Sequence, residues 1–169
     1  MKILEVHEIK KEFFNLDYSN IDIIVFDDGL YTQYLNLNFF ESLNIPLKFA
    51  ISAGIVAKDK QSPEFIECYN AHNKAFKGNF ENYMNWEQIK EISLKHEILG
   101  HGYSHKRFKT FNSAKRDTEK MLESFKNHKI DIQGFCFPYN DENEILKLIL
   151  KSKGIETFYG NGRIPIEML

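Results

Sequence analysis

The apolar run Ile21–Phe26 stops abruptly at Asp27-Asp28-Gly29, and this junction constrains the fold more than any other stretch of the chain. A short β-branched segment of this kind reads as a buried strand, and buried strands belong to sheets covered on both faces. Two carboxylates at its end are then held where the strand leaves the core.

The rest of the chain repeats the pattern. Leu47–Ser52, Glu97–Gly100, Ile132–Phe137 and Thr157–Gly160 read as further strands. Between them, Asn38–Leu43, Met84–Lys95, a segment capped by Asn112 or Ser113 and running to Asn127, and Glu142–Ser152 read as helices. Gly154 stands at a C-cap position. Gly54–Tyr83 has no clear period and reads as a long loop with one short helix. Strands alternating with helices predict an α/β fold with a parallel sheet, open or closed into a barrel, in a single domain spanning 1–169.

In such sheets chemistry collects at the carboxyl ends of the strands. Asp27-Asp28, His101 and Pro138-Tyr139 each follow a predicted strand, so three polar groups converge on one end of one sheet. His101-Gly-Tyr-Ser-His105 offers two imidazoles at i, i+4, which face one way if 101–105 form a helical turn. A carboxylate with paired histidines outlines a first-row metal site. Taken singly, each motif has a plainer reading: Asp-Asp-Gly also caps turns, and HxxxH also occurs as two unrelated surface histidines. His96 reads as structural. A phosphatase of the haloacid dehalogenase type needs Asp-x-Asp, which adjacent aspartates do not provide.

Composition narrows the partners. The net charge is −2 over 169 residues, so no nucleic-acid or anionic-membrane partner is expected. The cluster Lys106-Arg107-Phe108-Lys109 reads as a solvated loop. No stretch approaches the ~18 apolar residues of a membrane span. Met1–Glu5 has no apolar h-region, so no signal peptide is predicted. Cys68 and Cys136 form no CxxC pair; a reduced, cytoplasmic setting is expected, with Cys136 as a small buried hydrophobe.

Phe26-Asp27-Asp28-Gly29 resembles the first motif of the polysaccharide deacetylases, the NodB-homology carbohydrate esterases. The stretch His96–His105 resembles their second motif with its lead-in, Met84–Ile89 the helix before it, and Phe137-Pro138-Tyr139 the end of the third. The three motifs occur in the family's order. The resemblance implies a deformed (β/α) barrel and a zinc ion, or another divalent transition metal. It implies Asp27 as general base, Asp28, His101 and His105 as metal ligands, and the Tyr139 backbone N–H as an oxyanion donor. The implied reaction removes an N-acetyl group from a sugar, expected here on a nucleotide- or lipid-linked precursor of a surface polysaccharide. The departures are two. Gly134 stands where many members carry the arginine that braces the base, and the late Leu-x-His motif that supplies a general acid is absent. The alternatives are therefore a non-catalytic metal- and sugar-binding module, or an amidohydrolase acting on a small non-sugar amide. The oligomeric state is not legible. Of Tyr31, Tyr34, Phe39, Tyr69, Phe76, Phe80 and Tyr83, none stands out as a sugar-stacking ring.

Overall fold

The computed structural model describes all 169 residues. Seven strands, β1 (Ile3–Val6), β2 (Ile23–Phe26), β3 (Leu47–Ile51), β4 (Glu97–Gly100), β5 (Ile132–Cys136), β6 (Phe158–Tyr159) and β7 (Ile164–Pro165), form one sheet in the order β6-β5-β4-β3-β2-β1-β7. Every pairing is parallel. The helices are α1 (Tyr31–Leu35), α2 (Leu37–Ser42), α3 (Cys68–Phe76), α4 (Trp86–Ser93), α5 (Phe111–Asn127) and α6 (Glu144–Ser152).

The topology forces the sheet to curl. Strands β6 and β7 lie at opposite edges of the order, yet only residues 160–163 join them. A connection that short reaches at most ~17 Å, whereas seven strands laid flat at ~4.8 Å spacing would part the edges by nearly ~30 Å. The sheet therefore bends into the deformed, incompletely closed barrel that the motifs imply.

The two faces of the sheet are filled differently. Ile24, Phe26, Phe49, Ile51, Ile98 and Phe135 pack outward against the helices in the large core. Phe26 stacks on Phe49 at 4.8 Å and meets Phe40 of α2 edge-on at 4.9 Å. The other face is lined by a small set, Val25, Ala50, Leu99, Cys136 and Tyr159, one from each of β2 to β6.

Local chemistry sets the helix ends. Asn85 and Gln88 form a reciprocal capping box at α4, and Asn143 caps α6 through the Leu146 N–H. The cap of α5 is Thr110, not Asn112 or Ser113, and α6 begins at Glu144, two residues later than predicted. His96 is structural, its Nε2 lying 2.9 Å from Glu41 Oε1. Strands β1 and β7 were not predicted. Both prove decisive for the site.

Candidate active site

Asp27 and Asp28 leave β2 in different directions because the chain turns sharply between them. Asp28 has φ 73° and Gly29 φ 76°, both left-handed. A Cβ on Gly29 would also come within 2.9 Å of Ile51 Cδ1, so glycine suits this left-handed position best.

Asp28 sits in a ring of histidines. Its Oδ1 lies 3.2 Å from His101 Nε2 and 3.0 Å from His105 Nε2; its Oδ2 lies 3.2 Å from His72 Nε2 and accepts from the Cys68 thiol at 2.8 Å. Burial alone would raise the pKa of this carboxyl. The neighbouring His105, His101 and His72 outweigh burial and hold it well below the ordinary value.

His101 and His105 converge through a loop and not through the predicted helical turn: residues 101–105 are non-helical, with Gly102 at φ 75° and His105 at φ 52°. Asp117 of α5 pins that loop, accepting from the Tyr103 N–H at 2.8 Å, the Ser104 N–H at 3.1 Å and the Ser104 hydroxyl at 2.6 Å. His101 Nδ1 lies 2.8 Å from the Cys136 carbonyl. A carbonyl only accepts, so Nδ1 carries a proton, and Nε2 is the nitrogen turned to Asp28. It lies 3.2 Å from Oδ1, a separation that suits either a shared proton or a shared cation.

Asp27 is held by a different partner. Arg163 donates from Nη1 to Oδ1 at 2.7 Å and from Nη2 to Oδ2 at 2.8 Å, a bidentate pair with both residues buried. Arg163 is steadied in turn by Asn140 Oδ1 at 2.6 Å and by the Gly160 carbonyl at 3.3 Å. Burial again opposes ionisation, and the guanidinium, with His101 and His7, overcomes it, so the Asp27 pKa is lowered. Gly134 therefore does not leave Asp27 without an arginine: Arg163, on the β6–β7 connection, reaches it instead. Gly134 could not carry one, because a Cβ there would stand 2.7 Å from the Thr157 carbonyl oxygen.

His7, which spacing did not nominate, joins the same group from the end of β1. Its Nε2 lies 3.6 Å from Glu5 Oε1, 3.8 Å from Asp27 Oδ2 and 3.9 Å from Asp28 Oδ2, and it keeps 35 % of its side-chain exposure. Burial lowers its pKa, but Asp28, Asp27 and Glu5 more than offset this, and the net shift is upward. Buried Gln33 fixes the backbone beneath both residues, donating to the His7 carbonyl at 2.8 Å and the Asp27 carbonyl at 2.6 Å.

These groups open into a cavity of about 280 Å³ whose wall includes His7, Asp27, Asp28, His72 and His105. Tyr69, Phe76 and Tyr139, all well exposed, form its rim. Phe39 and Tyr83 instead belong to packed clusters. Tyr139 lies edge-on to His105 at 4.7 Å, with the Arg107 guanidinium 4.3 Å over its ring. Six non-glycine residues have positive φ, and four of them, Asp28, His105, Tyr139 and Asn140, are here. Strain gathered at one place is a mark of a functional site.

The donor set fits a divalent transition metal. Donor atoms bound at about 2.0–2.1 Å to a tetrahedral ion stand ~3.3 Å apart, which matches the separations of Asp28 from its histidines. Asp28, His72 and His105 offer ligand atoms all within 4.8 Å of one another. His72 Nε2 is buried without a hydrogen-bond partner, and two or more imidazoles beside a carboxylate suit zinc-like ions.

No protein-family model and no curated protein sequence matches the chain. Solved structures do match. IcaB from Ammonifex degensii superposes with a TM-score of 0.70 at 17 % identity, over 98 % of this chain and 84 % of that one. A de-N-acetylase from Aggregatibacter actinomycetemcomitans gives 0.67 at 13 % identity, over 94 % and 87 %. BC0361, a polysaccharide deacetylase from Bacillus cereus, gives 0.66 at 10 %, over 99 % of this chain and 66 % of that one. At such identities the likeness is one of fold.

Proposed function

We propose that this chain, which has the fold of polysaccharide deacetylases, is a metal-dependent hydrolase that removes the N-acetyl group from an N-acetylated sugar. The observation that carries the reading is the pairing of two differently held carboxylates. Asp28 faces the Nε2 atoms of His101 and His105, as a metal ligand would, and adjacent Asp27 is locked to a guanidinium.

A zinc-like ion held by Asp28, His101 and His105 would supply Lewis acidity and bring the pKa of water towards ~7. The chain's own residues do the rest. Arg163 keeps Asp27 ionised and fixes its plane, so that Asp27 can take the proton of the attacking water. His7, its Nε2 3.8 Å from Asp27 Oδ2, is placed to pass a proton to the departing nitrogen, completing the acid–base pair. The Tyr139 N–H stabilises the developing oxyanion, a contribution of about 3–4 kcal/mol for one such donor. The exposed rings of Tyr69, Phe76 and Tyr139 offer apolar faces to a pyranose ring.

With Arg163 and His7 in place, the two gaps that favoured a non-catalytic module are filled from elsewhere in the chain, which supports turnover. The test is acetate release from N-acetylglucosamine oligomers, a nucleotide-linked N-acetyl sugar and a simple N-alkylacetamide, after loading with zinc, cobalt or nickel. Release from a sugar and not from the simple amide is expected. Release only from the simple amide would point to a general amidohydrolase, and release from none would overturn the reading. No helix is long and apolar enough to cross a membrane.

A further inference from the structure

The segment 54–83, without period in the sequence, folds helix α3 directly over the cavity. Cys68 and His72 stand four residues apart on α3 and so share one face. Both reach the oxygen of Asp28 that His101 and His105 leave alone: Cys68 Sγ lies 2.8 Å from Oδ2 and His72 Nε2 lies 3.2 Å from it.

His72 is placed as a ligand and not as a hydrogen-bond donor. Its side chain is 9 % exposed. Although Nε2 lies 3.2 Å from Oδ2, this buried nitrogen makes no hydrogen bond. A nitrogen that gave up water for nothing would cost about 1–3 kcal/mol. The ring is not loose: Nδ1 is 3.1 Å from the buried Tyr83 hydroxyl, and the face stacks on His105 at 4.2 Å with 20° between planes. Such support behind one nitrogen, leaving the other free, is how ligating imidazoles are oriented.

We infer that His72 is a further protein ligand of the ion proposed above, joining Asp28, His101 and His105, with the Cys68 thiol holding the second oxygen of Asp28. The inference rests on that proposed metal site. A third imidazole makes the site nitrogen-rich and selects zinc, cobalt, nickel or copper over magnesium and calcium. It also ties the ion to the rim: Tyr69 and Phe76 lie on the same helix, so loading the ion fixes the surface on which a sugar would rest.

The test is proton NMR of the full-length protein loaded with cobalt(II) alone. Each cobalt-bound imidazole shows one exchangeable, strongly shifted N–H signal that vanishes in D2O. Three such signals are expected in the wild type and two in His72→Ala, with cobalt affinity falling by more than the ~100-fold that loss of a mere outer partner costs. Two signals in both proteins, or three that all survive His72→Ala, would overturn the inference while leaving the metal site standing. Failure of the wild type to bind cobalt at all would overturn both. The wild-type count stands even if the variant folds poorly.

Discussion

Arg163 grips the carboxylate of Asp27 with both terminal nitrogens, at 2.7 and 2.8 Å, across 136 residues of sequence. Both groups are nearly closed to solvent, at 2 % and 3 % side-chain exposure. In such a place the pair is worth less than the damage done by removing one half, since the other charge is left buried and unmatched. Arg163→Gln should lower stability by about 3–5 kcal/mol, a fall in Tm of roughly 10 °C for a chain of this size. Arg163→Lys should recover only part of it, because an ammonium cannot reproduce the planar fork. Thermal unfolding followed by circular dichroism checks both.

Asp27→Asn separates the base from the metal ligand. The amide keeps the shape but cannot accept the proton, so deacetylation should fall by about 10²–10⁴-fold while the metal content stays that of the wild type. Elemental analysis beside an acetate-release assay reads the two quantities. Full activity in this variant would remove Asp27 from the mechanism.

Gly134 cannot take up the work of Arg163. A Cβ there meets the Thr157 carbonyl at 2.7 Å and Leu99 Cδ2 at 3.3 Å, and a backbone oxygen cannot move aside cheaply. Gly134→Arg should therefore destabilise the barrel, and placing it in an Arg163→Gln background should rescue neither Tm nor turnover. A rise of either in the double variant would refute this account of the brace.

Glu142 anchors the connection that delivers Arg163, accepting from Lys147 Nζ and from the Asn161 N–H, each at 2.8 Å. The Lys147 hydrogen bond, and next to it the Asn161 N–H against a burial cost, lowers the Glu142 pKa. A carboxyl with a lowered folded pKa adds stability above its unfolded value of about 4.3 and loses it as pH falls through the folded value. Glu142→Gln should thus be slightly less stable than the wild type near neutrality, and the two melting curves should merge as pH falls through the lowered folded value.

Much of the candidate site was legible because its residues follow strands with unmistakable apolar runs. β2 and β4 deliver Asp27, Asp28 and His101, and the motifs around them needed only the right order. What was not legible shares one cause. β1 pairs with β2 on one side and β7 on the other, but Ile3-Leu4-Glu5-Val6 places a glutamate in its middle and β7 is only Ile164-Pro165. Neither carries a periodic signal; both exist because the curled sheet offers them an edge. The residues they position, His7 and Arg163, were hidden with them. His72 was missed for a related reason: α3 sits in a stretch without caps or clean period, and its i, i+4 Cys-His pair points nowhere until the fold brings it over Asp28. Backbone turns account for the remainder, since the left-handed conformations of Asp28 and His105 redirect side chains in ways that spacing does not reveal.

The central claim is that Asp28 and its histidines hold a divalent ion, and the most direct measurement is metal content. The untagged protein, purified and reconstituted with zinc, cobalt or nickel, should carry one ion per chain by elemental analysis, and an Asp28→Ala variant and a His101→Ala/His105→Ala variant should carry none. A wild type that binds no ion under any of these conditions would contradict the claim, and His101 Nε2 would then face Asp28 as a proton donor.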